Sequence, residues 1–463
     1  MKLVHFCVLL CSLSPTAVLA QTGSPQTEPS PWSLHDALNA PDDLKLSASF
    51  RLRFDTIDGQ ARPGFNASDD TINLRTTIFA EYQTGPFRLG TEFYDSRAYF
   101  ANARTPITAN EVNAAEFVQG YVALDLHKPF GAESEATLQA GRFVLNLGSR
   151  RVIAADDYRN TTNGYTGIRA DLALKGGIKA TAVYVLPTLR LPDDLPALLD
   201  NKLAPDRESF DAVLWGGVVS QTEAIGKAHA ELSFYHFGER DRAERPTRDR
   251  SLNTLGFRIF REPGPSKIDF EVETMYQWGQ ASINTAATST TLAVSATFVH
   301  ADIGYSFAAP WKPRFSLRFD RASGDGRGPT FGRFDSLFGM RRAEIAPSGL
   351  YNIVGRANLL SPAFRIEVKP SKSTEVFAHY RPLWLASRTD SFSTSNLRNA
   401  TGQSGNFAGH QFETRWRQWL VVDALRFEAN LVYLAKGRFL TTAPNAPATG
   451  NTRYASLNMT AFF

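Results

Sequence analysis

Polar and apolar residues alternate one by one in many short stretches of this chain. From Ser49 to Asp55, Phe50, Leu52 and Phe54 fall on one side and Arg51, Arg53 and Asp55 on the other. That is the period of a strand whose two faces meet different surroundings. Near the other end, Leu425, Phe427, Ala429, Leu431 and Tyr433 alternate with Arg426, Glu428 and Asn430. The same split recurs at Phe315, Leu317 and Phe319 against Arg314, Arg318 and Asp320, and at Phe364, Ile366 and Val368 against Arg365, Glu367 and Lys369. Helical stripes are poor, and no stretch beyond the first residues approaches the run of about 18 apolar residues that a membrane helix needs.

The pattern predicts strands near 44–58, 71–83, 87–99, 114–127, 136–147, 164–174, 178–186, 210–220, 228–237, 252–261, 267–279, 291–307, 313–322, 356–369, 374–385, 409–421, 425–436 and 453–463. Their connections alternate in length. Thr84-Gly85-Pro86, Lys175-Gly176-Gly177 and Val422 to Ala424 are short, whereas 59–70, 187–209, 239–251, 323–355 and 386–408 are long. A soluble sandwich has no reason to keep its long loops at one end. The expectation is therefore an all-β transmembrane antiparallel barrel of about 18 strands, with short periplasmic turns and long extracellular loops.

Both ends fit that reading. The opening MKLVHFCVLLCSLSPTAVLA reads as a secretory signal, residues 1–20, cleaved after Ala20. Residues 21–43, rich in Pro, Ser, Thr and Asp, read as a periplasmic lead-in, and 44–463 as the barrel. In the last strand Ala455, Leu457, Met459, Ala461 and Phe463 share the lipid face, and Phe462 points to the lumen. A terminal aromatic looks like the signal that presents such chains to the outer-membrane assembly machinery.

Composition narrows the chemistry. Fifty Lys and Arg against 46 Asp and Glu give a net charge of +4, too balanced for a nucleic-acid partner held by bulk charge. The two cysteines, Cys7 and Cys11, lie in the leader, so the mature chain has no disulfide or thiolate metal site. No nucleotide-binding loop occurs, and no G-x-S-x-G marks a nucleophile. Glu271 and Glu273, two apart on one strand face, cannot flank a sugar ring from opposite sides. An outer-membrane enzyme remains a remote alternative, and no catalytic residue or cofactor is expected. Asp-rich turns at Ala154 to Asn160 and Phe319 to Gly326 are suited to calcium, but they lack EF-hand spacing, and no metal site is assigned.

Because charges must avoid lipid, the alternation assigns an inner wall. Arg51, Arg53, Arg75, Arg258, Arg314, Arg318, Arg365, Arg381, Arg415, Arg417 and Arg426 are inward candidates. Their fixed fork of donors suits carboxylates, of the wall or of a passing solute. Asp269, Glu271 and Glu273 share one face of DFEVE, where like charges repel unless arginines lie opposite. With Asp320 they form an expected counter-charge or acidic gate, giving the lumen positive and negative zones.

Several islands resemble the alginate export family, the eighteen-stranded outer-membrane porins. They are Gly141-Arg142, Leu147-Gly148, Arg151, Asn160, Tyr165, Gly167 and Arg169. Further on come Ser323-Gly324-Asp325, Phe334-Asp335-Ser336-Leu337-Phe338, Asn358-Leu359, Trp384 to Asp390 and Gly437-Arg438-Phe439-Leu440. The resemblance implies that Arg97, Arg142, Arg151 and Arg169 line the pore, that Asp95, paired with Arg97 at the end of the third strand, joins the acidic gate or counter-charge, and that long loops fold inward as gates. It implies a Gram-negative outer-membrane channel exporting an anionic polysaccharide or acidic oligosaccharide, in contact with lipid and with possible periplasmic export components. The alternative is a general small-solute porin with modest anion preference.

Overall fold

The computed structural model describes residues 31–156, 158–286, 288–341 and 344–463. The expected leader 1–20, residues 21–30 of the lead-in and Asp157 of the Asp-rich turn lie outside the described residues.

Eighteen strands form one sheet. The first nine are β1 (Leu44–Asp58), β2 (Ser68–Thr84), β3 (Phe87–Tyr99), β4 (Asn113–His127), β5 (Glu135–Val144), β6 (Gly164–Leu174), β7 (Ile178–Pro187), β8 (Ala212–Ile225) and β9 (Ala228–Glu239). The rest are β10 (Ser251–Arg261), β11 (Lys267–Ser282), β12 (Thr291–Ser306), β13 (Arg314–Ala322), β14 (Leu359–Val368), β15 (Thr374–Trp384), β16 (Phe407–Val421), β17 (Leu425–Lys436) and β18 (Thr452–Phe462). Each pairs antiparallel with the next, and β1 also pairs with β18, so the sheet closes without an edge.

The alternation becomes an inside and an outside. Arg51, Arg53 and Asp55 are buried, while Phe50 and Leu52 are 42% and 43% exposed on the outer face. This inverts the water-soluble rule, as expected where the outer solvent is lipid and the interior is polar. No described helix is long and apolar enough to cross a membrane. Turns at one rim are tight. Gly176 adopts φ of 77° between β6 and β7, a left-handed conformation that glycine takes without steric penalty.

The opposite rim carries the long connections, and two of these enter the barrel. Loop 145–163 buries Leu145, Leu147, Val152 and Ile153, and loop 323–358 buries Phe334, Ile345, Leu350 and Val354. Ile153 and Phe338 form a parallel bridge where the two loops meet. This explains why β5 ends at Val144 and not at 147: Leu145 and Leu147 leave the sheet to enter the interior.

The seam between β1 and β18 is reinforced at the short-turn rim. Phe463 donates its N–H to the Ala48 carbonyl at 2.8 Å and accepts the Ala48 N–H at 3.0 Å. The lead-in lies against this point, with Trp32 stacked on Phe463 at 6.1 Å between ring centroids. Phe463 continues the outward row of Leu457, Met459 and Ala461, as the sequence suggested, and is half-buried beside Trp32. Phe462 packs on Trp419 at 5.6 Å and under Arg426, both on the inner wall. Trp32→Ala is expected to destabilise the barrel by about 1 kcal/mol, seen as a lower urea midpoint in micelles. An unchanged midpoint would show that the stack contributes nothing.

Candidate functional site

A charge on the inner wall has little water around it and needs a partner. The strand register supplies partners directly. Arg258 lies opposite Glu273 and Glu231, and it binds Glu231 at 3.0 Å and Glu271 at 2.8 Å. Arg314 gathers Asp269, Asp302 and Glu367. Arg318 binds Asp302 at 2.5 Å. The three acids of DFEVE therefore do have arginines against them. Asp320 joins Arg381 at 2.8 Å to His300 at 2.8 Å, and Arg169 pairs with Asp171 at 2.7 Å. Arg415 lies over the Phe377 ring at 4.9 Å, with Glu375 3.8 Å away. The more exposed wall charges are Glu367, Glu375 and Arg417, whose side chains keep roughly a third of their surface in solvent.

Arg151 belongs to the plug. It is 1% exposed and binds Glu271 and Glu273 of β11 together with Glu344 of loop 323–358, the last at 2.8 Å. Glu344 is also held by Arg356. Burial alone would push the Glu344 carboxyl up, but Arg151 and Arg356 outweigh it and hold it well below the usual carboxylate range. One guanidinium thus ties loop 145–163, loop 323–358 and the wall together. At the loop's other end Arg51 donates to the Arg159 carbonyl at 2.5 Å and Arg75 to the same oxygen at 3.3 Å. The Asn160 amide binds the carbonyls of Leu74 and Glu111, both at 2.9 Å.

Three expected pore residues lie elsewhere. Asp95 is opposite Thr76 and Arg97 opposite Leu74, on the same face as Leu52, so this pair sits outside the barrel and not on the lumen. They bind each other at 2.9 Å. Arg142, opposite Gly120 and Thr166, shares the outward face of Leu138 and Ile168. It clamps Glu116 of β4 and Glu208 of loop 188–211, both at 2.6 Å. Sequence reasoning missed Glu344, Arg356, Glu116 and Glu208 as partners, since all but Glu116 lie in loops without alternation. Among the described residues, no group of three or more His, Cys, Asp and Glu is placed to hold a metal ion.

The motif islands converge on the plug and its anchors. A Cβ on Gly324 would come within 2.0 Å of Asn358 Oδ1, an atom that accepts the Ser387 N–H at 2.7 Å. Asp390 binds Arg333 at 2.8 Å and accepts the Asp325 N–H at 2.9 Å. The sequence profile described as alginate export matches residues 42–454. The chain belongs to the alginate export family. A search of curated proteins finds no match for this alginate export family member. Its fold is similar to solved outer-membrane structures. OccAB3 of Acinetobacter baumannii has a TM-score of 0.57 at 10% identity, covering 91% of this chain and 100% of the other. OccK2 (OpdF) of Pseudomonas aeruginosa, solved in complex with glucuronate, has a TM-score of 0.56 at 11% identity, covering 91% and 96%. OpdK of Pseudomonas aeruginosa, solved with vanillate, has 0.54 at 11%, covering 90% and 98%.

Two predictions follow from the charge arrangement in this alginate export family barrel. Arg151→Ala removes the guanidinium shared by Glu271, Glu273 and Glu344, of which Arg258 and Arg356 still hold the first and last, and should cost about 3–5 kcal/mol, whereas Arg97→Ala on the outer face should cost under about 1 kcal/mol. Chemical unfolding in micelles measures both. Loop 188–211 should respond to pH. Burial raises the Asp206 carboxyl from 3.8 to about 6, against the hydrogen bonds from Leu191 and Asn113. The folded loop then binds a proton more tightly than the unfolded chain, so it gains stability as pH falls through about 6. Backbone hydrogen exchange in 188–211 should be slower at pH 5 than at pH 7 after correction for intrinsic rates. Asp206→Asn should flatten the difference.

Proposed function

We propose that this outer-membrane channel of the alginate export family passes an anionic polysaccharide or acidic oligosaccharide, after signal cleavage and insertion with the long loops outside. The carrying observation is that arginines along the inner wall, among them Arg258, Arg314, Arg318 and Arg417, already hold carboxylates. A uronate carboxylate entering the lumen replaces one carboxylate partner by another, so a guanidinium stays paired at each step and no deep trap forms. The acids of the wall return to the arginines behind the solute. Transport on this reading is electrostatically guided diffusion, without a catalytic residue or cofactor, and an upstream periplasmic machine supplies the polymer.

Passage of a chain needs the plug to shift. The Arg151 contacts with Glu271, Glu273 and Glu344 are the ones that must exchange, and a polymer rich in carboxylates supplies replacements for Glu344. A second reading, a general small-solute porin with modest anion preference, is favoured by the wall carboxylates that already hold Arg258, Arg314, Arg318, Arg365 and Arg381.

Planar-bilayer recordings of the purified protein separate the two. Anion selectivity is expected, with polyuronate blocking the current more than a neutral glucan of equal length and with block weakening at high salt. Arg417→Glu together with Arg258→Glu should lower the selectivity. Anion selectivity with equal block by both polymers would leave the small-solute porin, and cation selectivity would reject both.

A further inference from the structure

The outer face of β14 to β18 and β1 is not uniform. One register row across these strands reads Ile366, Ala378, Thr414, Leu431, Ala455 and Thr56. It is mostly small, and with its neighbours it leaves a recess of about 580 Å³, within the roughly 300–1,000 Å³ of small-ligand sites. The next row toward the long-loop rim reads Phe364, Tyr380, Phe412 and Tyr433, then Arg453 and Asp58. Tyr380 and Phe412 pack at 4.9 Å, and the Tyr433 hydroxyl accepts from Asn451 at 2.8 Å. An aromatic shelf therefore overhangs an apolar trough.

The trough climbs. Phe364 lies in the middle of β14, whereas Arg453 and Asp58 lie at strand ends beside long loops. Strands tilted about 35–45° bring this about, since a row crossing them is inclined to the membrane plane. The upper end carries an exposed cation. The Arg453 side chain is 75% exposed, and its approach to Asp58 is a loose 4.0 Å. A second outward recess of about 550 Å³, around Leu138, Ala140, Ile168, Ala170, Ala182 and Tyr184, has no exposed cation on its outward lining.

We propose that the first trough is a lipid site: one acyl chain of a phosphate-bearing membrane lipid lies along Ala378, Thr414 and Ala455, and its head-group phosphate pairs with Arg453. The cation sits where the head-group layer begins, and the trough descends from it into the hydrocarbon, so one amphiphile satisfies both ends. The second recess has the apolar half alone and serves as an internal control.

Native mass spectrometry of the full-length barrel in micelles tests this, with phosphatidylglycerol and a diacylglycerol of identical chains as probes. Retention of one phosphatidylglycerol is expected, with diacylglycerol retained about tenfold less, the equivalent of one good charge contact. Ala378→Phe, or the milder Ala455→Leu, should abolish retention by filling the trough. Ala182→Phe in the second recess should leave it intact, and Arg453→Glu should bring phosphatidylglycerol down to the diacylglycerol level. Equal retention of both lipids, loss through Ala182→Phe, or survival of retention in both trough-filling variants would overturn the proposal. Unchanged conductance in all four variants shows that the barrel is assembled in each.

Discussion

Every backbone donor and acceptor in hydrocarbon must be satisfied within the protein, and that demand shapes the rest of this molecule. A sheet meets it only by closing, and here closure rests on β1 meeting β18 over Ser49 to Asp58. Once closed, each strand has one side in lipid and one in the lumen. The side chains then sort themselves: Phe50, Leu52 and Phe54 go out, Arg51, Arg53 and Asp55 go in. The charge chemistry of the pore is therefore a by-product of closure as much as a device for transport.

A lumen lined with arginines would repel itself if left alone. The wall answers with carboxylates at register positions, as with Arg258 against Glu231 and Glu273. The plug answers with Arg151, which neutralises the acid-rich face of β11. Positive and negative zones exist, but they interlock. That arrangement ties the plug and the wall into one cohesive unit.

The strands were legible because a period of two survives burial on either side. All fifteen residues of β1, and β11 as far as Gly279 of its sixteen, needed no tertiary information. Facing was less secure. Asp95 and Arg97 sit beside the irregular pairing of β3 with β4, where register shifts occur between Glu92 and Phe93 and again between Tyr94 and Ser96. A charged pair at a rim also does not need the lumen to stay hydrated, so the motif that marked this pair, and Arg142 with it, does not fix which face they take. Arg151 was identified by its motif, but its partner Glu344 lies 193 residues away in an aperiodic loop. No spacing rule reaches that far.

The meeting of Ile153 with Phe338 has a consequence for the order of events during biogenesis. Loop 145–163 emerges with β5 and β6, yet the segment that seats it arrives only after β13, and loop-closure entropy disfavours long-range contacts before the intervening chain is ordered. Both loops precede β14, whereas the seam joins β1 to β18 across almost the whole chain, so the same entropy lets the stopper seat before the cylinder closes.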